Sequence, residues 1–174
     1  LKVLILIRCK VRMLKISFLV FILATTICGQ VPDTLWTKTY GGAGSEVGYS
    51  VDQTNDGGYI VAGFTDSFGI GNYDVWLIKT DEWGDTIWTK IYGGELSDVA
   101  FTVHQTIEGG YILSGLTDSF GNGNGDYWLL RTDENGDTLW SKTYGTTARE
   151  WCRYSKQTSD SGFILIGLID SLNF

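Results

Sequence analysis

The sequence predicts an all-β chain of tandem four-stranded antiparallel sheets, and three observations predict it. A 52-residue unit at residues 33–84 returns without a gap at 85–136 and again, as an incomplete copy, at 137–174. Within each unit, short alternating or wholly apolar segments are separated by turns rich in Gly, Asn and Asp. Beyond residue 30 no segment carries apolar residues at the 3.6-residue period of an amphipathic helix.

The first strand of each copy is expected at residues 34–40, 86–92 and 138–144. Trp36, Lys38 and Tyr40 alternate there with Leu35, Thr37 and Thr39, so each set shares one face. The second strand, from Gly48, places Tyr49, Val51 and Gln53 on one side and ends at Asn55-Asp56-Gly57-Gly58, a hairpin signal because Gly accepts positive φ. The third (residues 59–64, 111–116 and 163–168) is apolar on both faces, which requires cover on both. Its recurring Gly63, Gly115 and Gly167 mark a close backbone approach. The fourth spans residues 74–80 and 126–132, and a tight turn feeds the next copy.

Four antiparallel strands in about 50 residues, covered on both faces and repeated head to tail, specify a partial β-propeller. A β-solenoid and a sandwich are the alternatives. Asp-Thr-Leu-Trp-x-Lys-x-Tyr-Gly at 33–41, Gln-Thr-x-x-Gly-Gly-Tyr-Ile at 53–60 and Trp-Leu-x-Lys-Thr-Asp at 76–81 carry a more specific likeness. With these motifs, residues 33–174 resemble secreted bacterial β-propeller-type repeat proteins. The resemblance implies a binding or scaffold role at the cell surface, and longer members end in a C-terminal sorting domain. It brings no catalytic residues. Closed propellers have about 4 to 8 blades, so this stretch is expected either to belong to a longer surface protein or to complete its ring by self-association.

Residues 1–30 hold five basic residues and no acidic one, and residues 31–174 hold 8 basic against 20 acidic. Such a body repels nucleic acid and anionic lipid. The apolar run at residues 13–24, behind Lys15 and before Thr25 and Thr26, reads as a signal peptide with translation starting at Met13. The mature chain is then exported and without a membrane span, unless Cys28 is lipidated. Cys152 is the one cysteine in the repeats, at the position of Gly48 and Ala100, and is expected to be buried.

No catalytic constellation stands out. Asp133, Asn135 and Asp137 have the spacing of a calcium loop, but the distant Glu of an EF-hand is absent and Trp83 replaces the middle residue one copy earlier. The competing reading is a turn whose carboxylates cap backbone N–H groups. His104 replaces Asp52 and Lys156 and is expected on a solvated face. Trp83, on a turn and not repeated, is a candidate for stacking on a sugar or anchoring a protein. The glycine-rich loops around Glu46, Asn72, Asn122 and Asn124 are the other candidate binding positions. A non-enzymatic module binding a glycan or a surface protein is the leading expectation. The alternative is an extracellular polysaccharide hydrolase or lyase using Glu46, Glu95, Asp98 or Glu150 from the same loops.

Overall fold

The computed structural model describes residues 4–10, 33–122 and 124–170. The expected signal segment and Cys28 lie outside them. The described residues form strands only, joined by turns and short loops.

Two four-stranded antiparallel sheets form the body. The first orders β3 (Glu46–Gln53), β4 (Tyr59–Thr65), β5 (Asp74–Thr80) and β6 (Thr86–Tyr92) side by side; the second orders β7 (Asp98–Gln105), β8 (Tyr111–Thr117), β9 (Asp126–Thr132) and β10 (Thr138–Tyr144). Two antiparallel pairs flank them, β11 (Arg149–Gln157) with β12 (Phe163–Asp170), and β1 (Leu4–Lys10) with β2 (Asp33–Tyr40). The sheets are out of phase with the sequence repeat. Each full sheet takes three strands from one copy and the opening strand of the next.

Strand β1 falls where the sequence suggested no strand. Leu4 pairs with Tyr40 as Val75 pairs with Tyr92, and Arg8 faces Trp36 as Lys79 faces Trp88. Residues 4–10 therefore take the ladder position of β5 and β9, beside an opening strand.

The recurring glycines behave as their spacing implies. A Cβ on Gly63 or Gly115 would stand 1.8 Å from the carbonyl oxygen of Val47 or Val99, and one on Gly167 would stand 2.2 Å from that of Trp151. The approach coincides with a β-bulge in each copy, where the register slips between Gly48 and Ser50, Ala100 and Thr102, and Cys152 and Tyr154. Tyr49, Phe101 and Arg153 are the bulged residues. In the hairpin after each bulged strand, Gly57 and Gly109 adopt φ of 86° and 83°, and Ser161 is held at 63° in the same position.

The main core lies between the two full sheets, with Ile60, Ala62, Val75 and Leu77 against Val103, Tyr111, Leu113, Trp128 and Leu130. Tyrosine and tryptophan from each opening strand lock the seams. Trp36, Trp88 and Trp140 set their rings edge-on to Tyr59, Tyr111 and Phe163, with centroids 5.8, 5.9 and 5.9 Å apart. Tyr40 and Tyr92 hydroxyls donate to the carbonyls of Gly84 and Gly136 at 2.6 and 2.5 Å. Lys38 and Lys90 pair with Asp85 and Asp137 at 2.6 and 2.8 Å. Gln105 and Gln157 accept from the turn amides of Asn55 and Ile107 in the preceding sheet, at 2.8 and 2.9 Å. His104 belongs to this seam rather than to a solvated face: its ring is half-buried between Asp52, 3.4 Å away, and Tyr154. Cys152 is buried, as its small-residue position implied.

Cover decides exposure at equivalent positions. Val103, under a neighbouring sheet, is 0% exposed, whereas Val51, at the first sheet's outer face, is 51% exposed. At the other end Ile164, Ile166 and Leu168 of β12 are exposed.

Two outcomes follow. Gly115→Ala forces a methyl into the Val99 carbonyl and should destabilise the chain by about 1–3 kcal/mol, read from the urea midpoint at unchanged slope. The Tyr92 phenol is held above its ordinary pKa, by burial first and then by Asp137 and Asp133. A raised folded pKa favours folding in the protonated form, so this stabilisation is complete below about pH 10 and lost as pH rises beyond it. Tyr92→Phe should therefore unfold with a shallower alkaline slope than the parent chain, measured by circular dichroism.

Candidate binding surface

The strands place two kinds of connection at opposite ends. Loop residues 66–73, 118–122 and 124–125, with 41–45, 93–97 and 145–148, lie at the end where β5 and β9 begin; the tight turns 54–58 and 81–85 lie at the other. The loop end carries a strip of aromatic and guanidinium groups that runs from the first sheet to β11.

The strip is built on the bulge. The Tyr73 ring lies 4.5 Å from Phe64, Phe64 lies 6.1 Å from Tyr49, and Tyr49 lies 5.1 Å from Phe101 on the next sheet. The Arg153 guanidinium sits 5.0 Å over Phe101 and 5.7 Å from Trp151, and the Arg149 guanidinium lies 6.0 Å from the same Trp151 ring. Tyr49, Phe101 and Arg153 share one repeat position, so the bulge that turns each aside stacks them into a column across three sheets. Tyr49, Tyr73 and Arg153 remain exposed. Such faces suit flat, partly apolar groups, and the guanidinium donors suit carboxylates.

The positions read from sequence are divided between the two ends. Asn72, Asn122 and Asn124 are exposed at the loop end, where the Asn72 amide donates to Leu96 and the Asn122 amide to Asp126. Trp83 is 59% exposed on the opposite turn, with its backbone amide donating to Asp81. A seven-residue strand separates it from Asn72, roughly 20 Å at the rise of a β-strand. Glu46 is at the loop end but not in a loop. It is the first residue of β3, 2% exposed, and accepts from the Thr65 hydroxyl at 3.1 Å. Asp98 and Glu150 hold the same repeat position and are buried likewise, whereas Glu95 stays exposed in its loop.

Asp133, Asn135 and Asp137 do not converge on one point. The Asp133 carboxylate accepts from the amides of Asn135 and Asp137 at 2.9 and 2.8 Å, and Asp137 turns away to Lys90. Asp81 caps the preceding turn in the same way around Trp83. Among the described residues no group of three or more His, Cys, Asp and Glu is arranged to hold a metal ion.

The buried acids form the other unusual feature. A Cβ on Gly93 would lie 2.2 Å from Asp74 Oδ1 and 2.9 Å from Asp98 Oδ2, so carboxylates of adjacent sheets face one small space. Burial pushes the Asp74 carboxyl above its usual range, reinforced by Asp98 and partly opposed by the Gly71 amide. Gly145 marks the same space at the next seam, between Asp126 and Glu150.

The strip was not read from the sequence, although Tyr49 and Phe101 stand 52 residues apart. That spacing was its one signal; a bulge leaves no mark in an alternating pattern.

Comparison with known proteins adds no assignment. No protein-family model matches the chain, and no curated protein matches it.

Because the Trp83 ring contributes little buried surface, Trp83→Ala should change stability by no more than about 0.5 kcal/mol in urea unfolding. A loss of several times that amount would place its ring in a packed contact.

Proposed function

We propose that this chain supplies blades of a closed, propeller-type ring and serves as an exported, non-enzymatic binding module that takes a glycan on the aromatic–arginine strip. The observation that carries the reading is the continuity of that strip over three sheets. The exposed rings of Tyr49 and Tyr73 stack on the apolar face of a sugar, and Arg153, held over Phe101, reaches a carboxylate on it, favouring acidic sugars. Export rests on the apolar run behind Lys15.

Closure is supported by two features. The backbones of neighbouring sheets come closest at the strands nearest the bulge column, β3, β4, β7, β8 and β11, while the outer β6 and β10 stand farther off, β6 reaching across with long Trp, Lys and Tyr side chains, as in wedge-shaped blades around an axis. The ends are also complementary. β11–β12 repeats the first two strands of a full sheet, and β2, which an exported chain keeps after losing β1 with its leader, repeats the last. A head-to-tail contact that joins such ends is heterologous and forms a ring where its rotation closes.

A second reading, one stretch of a longer surface protein, is favoured by the groove of about 490 Å³ under Trp140, Lys142 and Tyr144. At the equivalent places Lys90 and Tyr92 hold the turn of a following strand. Solution mass of residues 1–174 separates the two. A discrete ring of copies supports self-closure, and a monomer that gains stability from an added downstream repeat supports the longer array.

The binding role is tested by titrating acidic and neutral oligosaccharides into the chain. Tyr49→Ala should weaken binding at least about tenfold, the effect of losing a central stacking residue, with the circular dichroism spectrum unchanged. Equal affinity in both proteins excludes the strip as the site. Cleavage of the oligosaccharide would move the reading to a hydrolase or lyase.

A further inference from the structure

The seam between the second full sheet and β11 holds two acids that face each other in the protein interior. Asp126 begins β9, and Glu150 is the second residue of β11. Glu150 is 2% exposed and Asp126 1%. Asp126 Oδ1 and Glu150 Oε2 lie 1.8 and 2.9 Å from the point where a Cβ on Gly145 would stand. The glycine of the Tyr-Gly motif lets both carboxylates come this close to the backbone; any other residue would collide with them.

The preceding seam, one copy earlier, shows how this chain settles an acid in that place with hydroxyl and amide donors. The Thr117 hydroxyl donates to Asp98 Oδ1, and the Ser119 hydroxyl and Gly94 amide donate to Asp98 Oδ2 at 2.6 and 2.8 Å. At the Glu150 seam the threonine is replaced by Ile169, which has no donor. The Thr146 amide and hydroxyl both go to Glu150 Oε1, at 3.0 and 2.5 Å. Glu150 Oε2 is left buried with no hydrogen-bond donor, beside Gly145 and near the Asp126 carboxylate. Among the described residues Glu150 makes no ion pair, and its neighbour Arg149 turns to Asp118 and Trp151.

A carboxylate oxygen removed from water and set against a like charge is unfavourable unless a proton or a cation compensates it. Hard divalent cations bridge carboxylate oxygens at about 2.3–2.6 Å and fill the rest of their shell with carbonyls and water. We propose that the Asp126–Glu150 seam binds a calcium ion that ties β11 to the second full sheet. The site is separate from the turn at Asp133 and Asp137, and it lies within one chain, so it stands or falls independently of ring closure and of glycan binding.

The test uses the full chain stripped with EDTA and titrated with calcium chloride, followed by calorimetry and thermal unfolding. Calcium at about a hundred times its Kd should raise the Tm by roughly 5 to 10 °C. Glu150→Gln should lose that shift, and Asp133→Asn combined with Asp137→Asn should keep it. Ile169→Thr adds a hydroxyl at the position from which Thr117 donates to Asp98, so it should be more stable than the parent chain in EDTA and gain less from calcium. It provides a reading even if Glu150→Gln fails to fold. No heat and no Tm shift in the parent chain overturns the proposal. So does a shift that survives in Glu150→Gln, or one that disappears only in the turn variant.

Discussion

One strand face holds the array together. The opening strand of each copy presents tryptophan, lysine and tyrosine at alternate positions, hence on one side, and that side lies against the next sheet. The parts differ in weight. The edge-on aromatic pair contributes about 0.5–1.5 kcal/mol beyond its buried area, and the tyrosine donates to a carbonyl in a partly buried place. The Lys38–Asp85 and Lys90–Asp137 pairs are open to solvent and add little beyond direction. Since the strand belongs by hydrogen bonding to one sheet and by its side chains to another, no sheet forms its full set of contacts alone. The core between the full sheets depends on this clamp for its alignment.

Much of this architecture is legible in the sequence because it is local. Alternation fixes which side chains share a face, Asp-Gly and Gly-Gly fix the hairpins, and the apolar segments at residues 59–64 and 111–116 imply cover on both sides. Gly63 and Gly115 were readable as close approaches, since a strand interior has no other common use for them. Pairing was less legible. Nothing in a repeat of 52 residues says at which strand a sheet begins, because every phase gives the same periodic pattern. Residues 4–10 read as part of an apolar leader; only their register against β2 identifies them as a strand of the repeat type.

The candidate sites were harder to read for a related reason: they are made by neighbours in space. Glu46 follows Gly44 and Ser45 and so reads as part of a polar loop. Its hydrogen-bond partner Thr65 is 19 residues away on the next strand, and that distant contact is what puts it inside. The aromatic column needs three bulges in line, each set by the backbone rather than by side-chain pattern. By contrast Trp83, conspicuous because it does not repeat, stands apart from the loop end altogether. Irregularity within a repeat drew notice to a turn, while the regular positions carry the strip.

The one-strand offset between sheet and sequence repeat has a consequence for how such a gene can change. Insertion or deletion of one 52-residue length, wherever the cut falls, leaves every strand beside a neighbour of the right kind. A cut at the border between sequence copies falls inside a sheet, before its fourth strand, so a lost or gained copy exchanges equivalent strands instead of creating foreign edges. Unequal recombination between copies can thus lengthen or shorten the array in whole sheets while preserving each seam, and the number of sheets is free to drift without any single seam having to be reinvented.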